Sequence, residues 1–255
     1  MANEIITKRD ALSAQGMFVV KGNDLIQKSR YSLSLMEQKA ILFVISKIKP
    51  HDEPQTEYIF NIRDFCKACN LYENTGFYYQ YVREIMEHLG EHLLKVQLPD
   101  GKEMLSHWFS GAILDREAGE VRLHFDPYLK PYLFELKAFY TQYSLEYVLP
   151  MKSKYGIRLY EFLRSVQTKD YKQMFTVEEI KQRIDCEKYD KFKDFRVNVL
   201  EPALEDINTY TDLEVRCTPH KTGRKYTHLE FVILTHHDNE QERFYKRRQE
   251  LGWIR

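Results

Sequence analysis

Two short segments near the C-terminus carry the side chains best suited to binding a charged partner. Residues 188–198 read KYDKFKDFRVN and hold four cations and an asparagine, diluted by two aspartates. Residues 216–225 read RCTPHKTGRK and hold four cations and no acidic residue. Arginine, lysine and asparagine hydrogen-bond to base edges in the major groove of DNA, and cations beside them bind phosphates. The two segments therefore predict a DNA-binding surface, with bases read by the first and phosphates bound by the second.

From these segments we predict DNA contacts by Lys188, Tyr189, Lys191, Lys193, Arg196, Val197, Asn198, Lys221, Thr222, Arg224 and Lys225. A less basic group of candidates lies earlier in the chain and comprises Thr75, Tyr78, Tyr79, Gln80, Arg83 and Lys102. The two tyrosines of this group fit a protein core equally well. We expect this earlier region to make an auxiliary DNA contact and to offer a surface for self-association.

A zinc site is the main enzymatic alternative. His88, Glu91 and His92 match the H-x-x-E-H pattern of inverted zinc peptidases, but the pattern is short and chance matches to it are common. It lies at the end of a helix whose apolar stripe needs Leu89, so both histidines are expected to face solvent. Cys66 and Cys69 stand too far from His88 for the usual finger spacing, and Cys69 is expected in the core. No metal or cofactor is predicted.

Two further enzyme classes lack their motifs. The sequence contains no G-x-x-x-x-G-K-[ST] loop, so bound ATP as a fuel is not expected. A rolling-circle initiator needs two histidines that flank an apolar residue, whereas His236 and His237 are adjacent. No catalytic residue is predicted, and the chain is not expected to be an enzyme.

The elements that would position the DNA-binding residues occur twice. In the first copy, a helix with a capping box at Ser34 and Glu37 precedes a short strand at residues 58–61. Asn61 then caps a second helix, and a third helix spans residues 77–94. Strands at residues 95–98 and 105–114 flank the turn at residues 99–101. A strand at residues 120–126 completes this copy.

The same order returns about 115 residues later. A helix at residues 153–166 precedes Met174 to Thr176 and a second helix. A third helix begins at Lys188 and carries Phe192, Phe195, Val199 and Ala203 on one face. Strands at residues 213–218 and 227–235 then flank a turn at residues 221–224. Helix, short strand, helix, helix and hairpin is the order of a winged helix. The sequence thus predicts an α+β fold of two tandem winged-helix domains related as an internal repeat, residues 1–140 and 141–255, joined near residues 137–144.

Composition limits the partners. The 255 residues include 38 Lys plus Arg and 38 Asp plus Glu, so any nucleic acid must be bound by local patches rather than by a global positive field. No apolar run approaches the roughly 20 residues needed to span a bilayer, and no signal peptide is evident. Four scattered cysteines do not form a disulfide framework. We therefore expect a cytoplasmic protein with no membrane partner.

Several motifs resemble one family in order and spacing. Residues 23–26 (NDLI) and 31–39 (YSLSLMEQK) look like the opening of the RepB-type plasmid replication initiators, the iteron-binding proteins of theta-replicating plasmids. Residues 194–196 (DFR), 211–213 (TDL) and 223–231 (GRKYTHLEF) resemble their C-terminal winged helix. The resemblance spans about residues 22–234.

This resemblance implies a function without catalysis. The family binds direct repeats at an origin as a monomer and an inverted operator repeat as a dimer, represses its own gene, helps to open the origin, and recruits the host initiator and helicase. Its base-reading positions carry over to Lys191 and to the neighbourhood of Arg196 and Val197. Where the family often has a further cation, this chain has Val197 and Asn198, which would allow apolar contact with a thymine methyl. A winged-helix transcriptional repressor is the alternative function, and a zinc hydrolase is a remote one.

Overall fold

The computed structural model describes residues 18–49, 51–69, 71, 77–134, 136–167 and 171–235. Its N-terminal half contains, in chain order, β1 (Phe18–Gly22), α1 (Asn23–Lys28), β2 (Ser29–Arg30), α2 (Leu35–Ile45), β3 (Tyr58–Asn61), α3 (Ile62–Ala68), α4 (Tyr78–Glu91), β4 (Leu94–Gln97), β5 (Glu103–Ser106), β6 (Phe109–Asp115), β7 (Glu120–Phe125), a 3-10 turn (Pro127–Leu129), α5 (Lys130–Leu133) and β8 (Tyr140–Ser144).

The C-terminal half continues with α6 (Leu145–Val148), α7 (Lys154–Val166), β9 (Lys172–Thr176), α8 (Val177–Arg183), α9 (Phe192–Phe195), a π-helical turn (Arg196–Leu200), α10 (Glu201–Tyr210), β10 (Leu213–Thr222) and β11 (Lys225–Thr235). The segments α9, π-helical turn and α10 are contiguous, and we call them together the long helix. Among the described residues, no helix has the length and apolar character needed to cross a membrane.

The N-terminal winged helix consists of α2, α3, α4 and an antiparallel sheet in the order β3-β7-β6. The predicted capping box is present, because Glu37 N donates to Ser34 Oγ (3.3 Å) and Ser34 N donates to Glu37 Oε2 (2.9 Å). Asn61 caps α3 as predicted by accepting from Arg63 N at 2.9 Å. These caps satisfy amides that a helix leaves unpaired at its start.

The hairpin of this domain lies later in the chain than the sequence indicates. From the sequence we predict a single strand at residues 105–114 paired around the turn that holds Lys102. In the structure β4 and β5 do form a hairpin, but it lies in a separate sheet of order β2-β4-β5, and the hairpin that joins β3 is β6–β7. The predicted strand is interrupted before β6 because Trp108 turns into the core, where it is 1% exposed and forms a T-shaped contact with the Tyr31 ring. We call β6–β7 the N-terminal wing.

The C-terminal winged helix repeats this arrangement with α7, α8, the long helix and a sheet in the order β10-β11-β9. Thr176 and Glu179 form a capping box at the start of α8, at the position that Asn61 occupies for α3. The hydrogen bond from Thr176 N to Glu179 Oε2 lowers the pKa of Glu179. The β10–β11 hairpin, which we call the wing, is longer than predicted because its strands continue to Thr222 and from Lys225.

The long helix differs from its prediction in two ways. It begins at Phe192 rather than near Lys188, and Lys191 is its N-cap. The turn before it is closed by Tyr189 N, which donates to Cys186 O at 3.2 Å. The helix also widens into a π-helical turn at Arg196–Leu200, where Glu201 N donates to the carbonyl of Arg196, five residues earlier. Pro202 has no N–H to bond the carbonyl four residues before it, which explains the departure from α-helical bonding at this point.

Buried polar contacts connect the first described elements to the middle of the chain. The strand β1 pairs with β8, and Lys21 on β1 contacts both carboxylate oxygens of Glu161 on α7 at 2.8 and 2.9 Å. Tyr143 on β8 donates to the same carboxylate at 2.5 Å. The Arg158 guanidinium donates to the carbonyls of Ser29, Tyr31 and Arg183. These contacts hold α7 against the N-terminal elements. The domain boundary at residue 140 stays a prediction.

Candidate nucleic-acid interface

The long helix has one buried face and one solvent face. Phe195, Val199 and Ala203 are fully buried, as the apolar stripe predicts. The solvent side and the turn before it hold the predicted contact residues, and all of these are exposed except the half-buried Tyr189: Lys188, Lys191, Lys193, Arg196, Val197 and Asn198. Val197 is 47% exposed, which leaves it accessible to a thymine methyl.

Some of these groups already have partners within the helix. Arg196 Nε lies 3.1 Å from Glu201 Oε1, and Asn198 Nδ2 donates to the carbonyl of Asp194 at 2.9 Å. The lysines at the start of the helix have no ion pair in the described part of the chain. The N-terminal end of the long helix therefore presents unpaired positive charge, and its centre presents an arginine held by a carboxylate.

The wing projects a tight cationic turn. Gly223 and Arg224 connect its strands, and Gly223 adopts a positive φ of 64°, a conformation that favours glycine. The register shifts between His220 and Lys221, as in a β-bulge that redirects the end of a hairpin. The predicted phosphate contacts of the wing are all exposed: Lys221, Thr222, Arg224 and Lys225.

An aromatic stack joins the wing to the long helix. The Tyr226 and Phe192 rings stack with centroids 4.2 Å apart and an interplanar angle of 22°. Lys221 Nζ lies 4.6 Å from the centroid of the Tyr226 ring on the same turn. We do not predict Tyr226 from the sequence, although an aromatic residue directly after a cationic turn is the signal that would indicate it. The stack fixes the two predicted DNA-binding segments relative to each other.

The predicted DNA-contact residues of the N-terminal domain are less available to DNA than those of the C-terminal domain. Tyr78 and Tyr79 are half-buried, and the Tyr78 hydroxyl donates to the carbonyl of Leu71 at 2.8 Å. Gln80 and Arg83 are exposed but bond to glutamates one helical turn away. Lys102 is also exposed and pairs with Asp100 at 2.6 Å on the β4–β5 turn. Thr75 lies outside the described residues.

A cationic cleft beside α3 and α4 is absent from the sequence prediction. It measures about 580 Å³ and is bordered by the start of α3, the start of α4 and the turn of the N-terminal wing. Three cations (Arg63, Lys67 and Arg116) and two acids (Asp64 and Glu117) line it, and the Arg116 guanidinium lies 5.7 Å from the centroid of the Tyr79 ring. Arg116 is missed because the sequence pattern assigns the wing to the wrong hairpin.

The candidate zinc ligands are not brought together. His88 is exposed and lies 3.3 Å from Glu37, whereas His92 Nδ1 lies 2.7 Å from the carbonyl of His88. Cys66 and Cys69 are buried, and burial raises their pKa values to about 11 and 12, which disfavours the thiolate that binds zinc. Within the described ranges, no group of three or more His, Cys, Asp or Glu side chains is placed to hold a metal ion.

Comparison with known families decides the relationship. Residues 18–164 match the domain described as "Initiator Replication protein, WH1", and residues 176–233 match "Initiator Rep protein, WH2". The chain belongs to the initiator replication protein family. A "Replication initiation protein" of Escherichia coli is 31% identical over 228 residues, which cover 85% of this chain and 69% of that protein.

A solved structure shares the fold. The Pi initiator protein, crystallised in complex with iteron DNA, superposes with a TM-score of 0.70 at 19% identity, covering 87% of this chain and 98% of that one. The tandem winged-helix fold and the resemblance to plasmid replication initiators are thereby confirmed. The family is one of replication initiators rather than of enzymes, in agreement with the absence of a predicted catalytic residue.

Proposed function

We propose that this chain is a plasmid replication initiator that binds double-stranded DNA at direct repeats of an origin. The observation that carries the proposal is the stack of Phe192 on Tyr226, which holds the exposed face of the long helix and the cationic turn of the wing together as one surface. A helix in the major groove with a cationic hairpin on the backbone is a common docking geometry for such a pair. The iteron DNA bound by the Pi initiator supports the same partner.

In this proposal the two parts of the surface have different roles. Lys191, Arg196 and Val197 read base edges, with Lys188, Tyr189, Lys193 and Asn198 beside them, whereas Lys221, Thr222, Arg224 and Lys225 bind phosphates. The N-terminal domain makes a second contact, for which the cleft lined by Arg63, Lys67 and Arg116 is the candidate, because Lys102 is already paired with Asp100.

A second copy of the chain is the proposed partner of the N-terminal sheet. The strand β6 is an edge strand of that sheet, and Ile113 on it is 66% exposed. Ile59 on β3, 42% exposed, shares the outer face with Ile113, because both residues are register partners of Arg122 on β7. An exposed strand edge beside apolar side chains favours pairing with another chain. We propose that this pairing gives a dimer, in equilibrium with the monomer, that represses the initiator gene at an inverted repeat.

Opening of the origin and recruitment of the host initiator and helicase complete the proposed function. Family membership supports these steps, and we propose that they take place in the cytoplasm. No surface of the chain is assigned to a host protein.

Selection of bound sequences from random duplexes of about 30 base pairs, roughly three helical turns, tests the proposal. We expect enrichment of a long, non-palindromic site. Enrichment of palindromes alone would favour the transcriptional repressor, and no enrichment would contradict sequence-specific binding.

A further inference from the structure

The ion pair between Arg196 and Glu201 has a spacing that an α-helix does not allow. Residues five apart in an α-helix are separated by about 140° around the axis, so their side chains diverge. In the structure Arg196 Nε and Glu201 Oε1 are nevertheless 3.1 Å apart. The π-helical turn between them adds residues to one turn of the helix and brings the two side chains to the same side.

Pro202 provides the physical cause of this turn. Since proline lacks an N–H, the carbonyl of Asn198 cannot receive the usual bond from the residue four positions later. The proline ring also clashes with that carbonyl and displaces the preceding turn. Glu201 N then donates to the carbonyl of Arg196, five residues earlier, where an α-helix would use the carbonyl four residues earlier. The position of the glutamate carboxylate beside the arginine is thus encoded by the proline that follows it.

The atom that the carboxylate contacts matters chemically. An arginine recognises guanine through a fork of two donors directed at O6 and N7. The Glu201 carboxylate lies 3.1 Å from Nε, a nitrogen that is not one of the two terminal Nη groups. A guanidinium held at Nε has fewer orientations to lose when it binds a base, so its fork is organised before DNA arrives.

We infer that Glu201 is a specificity-determining positioning residue, which holds the Arg196 fork for a guanine in the recognised site, and that Pro202 sets the geometry of the pair. This inference rests on the proposed DNA-binding function. The Arg196 and Glu201 side chains are about half exposed, at 49% and 56%, so their ion pair contributes little to folding stability. Its loss is therefore expected to change the discrimination between DNA sequences.

The test compares Glu201→Gln with Glu205→Gln. Glu205 is an exposed glutamate one turn further along α10 and makes no ion pair with any described residue, so both variants remove one negative charge from the same helix. Affinity is measured for the site selected by the wild-type chain and for a set of duplexes in which each base pair is replaced in turn.

We expect Glu201→Gln to reduce discrimination at one guanine-containing base pair by about five- to tenfold, a part of what a bidentate arginine contact supplies. Glu205→Gln should change affinity for all duplexes equally. Adding Glu201→Gln to Arg196→Ala should cause no further loss at that base pair, because the group it positions is gone. Pro202→Ala, which restores the missing N–H, should lose discrimination at the same position with Glu201 still present.

Two failures can be told apart. If the wild-type chain selects no site, the proposed function is wrong. If it selects a site and Glu201→Gln behaves like Glu205→Gln at every base pair, the positioning role is overturned while DNA binding stands.

Discussion

The ion pair between Lys21 and Glu161 gives the most quantitative prediction for stability. Both side chains are almost completely buried, at 1% and 3% exposure, and they connect β1 to α7 across 140 residues of sequence. Lys21→Met keeps most of the volume of the side chain but removes its charge. The Glu161 carboxylate then retains one hydrogen bond among those the structure shows, from Tyr143.

The expected loss in the free energy of unfolding is large because the Glu161 charge stays buried without its partner. Removing one member of a buried ion pair costs about 3–5 kcal/mol, a substantial part of the roughly 5–15 kcal/mol that stabilises a folded protein. Urea denaturation of the wild-type chain and the variant measures this difference directly. Lys28→Met is the matched control, because the exposed Lys28–Asp24 pair is expected to contribute at most about 1 kcal/mol.

A double variant separates the ion pair from the packing. Glu161→Gln in the Lys21→Met background removes the stranded charge and keeps an oxygen for the Tyr143 hydroxyl. We expect the double variant to be more stable than Lys21→Met alone, with a coupling energy of about 1–3 kcal/mol between the two positions. A cost of less than about 1 kcal/mol for Lys21→Met, or losses that simply add in the double variant, would refute this reasoning.

Three further predictions concern the DNA surface and the fold that supports it. Lys191→Ala or Arg196→Ala should cost about 1–3 kcal/mol of discrimination at particular base pairs. Lys221→Ala should instead weaken binding to all sequences and reduce the slope of log affinity against log salt by about 1. Equal, sequence-independent losses of affinity in all three variants would contradict this division of roles. Tyr226→Ala should weaken binding more than Tyr226→Phe, which keeps the ring stacked on the long helix; similar losses in titrations of labelled duplex would show that the hydroxyl matters rather than the stack. Asp206→Ala should destabilise the protein by about 1–3 kcal/mol in urea denaturation, because the backbone amides of Lys152 and Ser153, just before α7, donate to its carboxylate at 2.8 and 2.7 Å; an unchanged midpoint would show that water replaces the carboxylate.

Local chemistry made the helix starts and the buried faces predictable. Ser34 with Glu37 and Asn61 with its two following amides form the caps that their residue types indicate. The stripe of Phe195, Val199 and Ala203 is buried because apolar residues at this spacing share one face of a helix.

Features that depend on long-range pairing could not be predicted in this way. Two consecutive hairpins in the N-terminal domain have similar alternation, and only the pairing of β3 with β7 identifies the one that forms its wing. The partner of Lys21 lies 140 residues away, and the contact of Phe192 with Tyr226 depends on how the wing folds back onto the long helix. The π-helical turn is a different case, since Pro202 marks a disturbed helix without specifying which form it takes.

The mass of the complex on the selected DNA tests the central claim most directly. The chain is mixed with a duplex that carries one selected site and, separately, with a second duplex in which one half of that site is inverted relative to the other. The mass of each complex is measured by analytical ultracentrifugation. An initiator whose two winged helices read a direct repeat should bind the first duplex as one chain of 30.7 kDa. Two chains on the first duplex at every concentration, with no single-chain complex, would contradict the account.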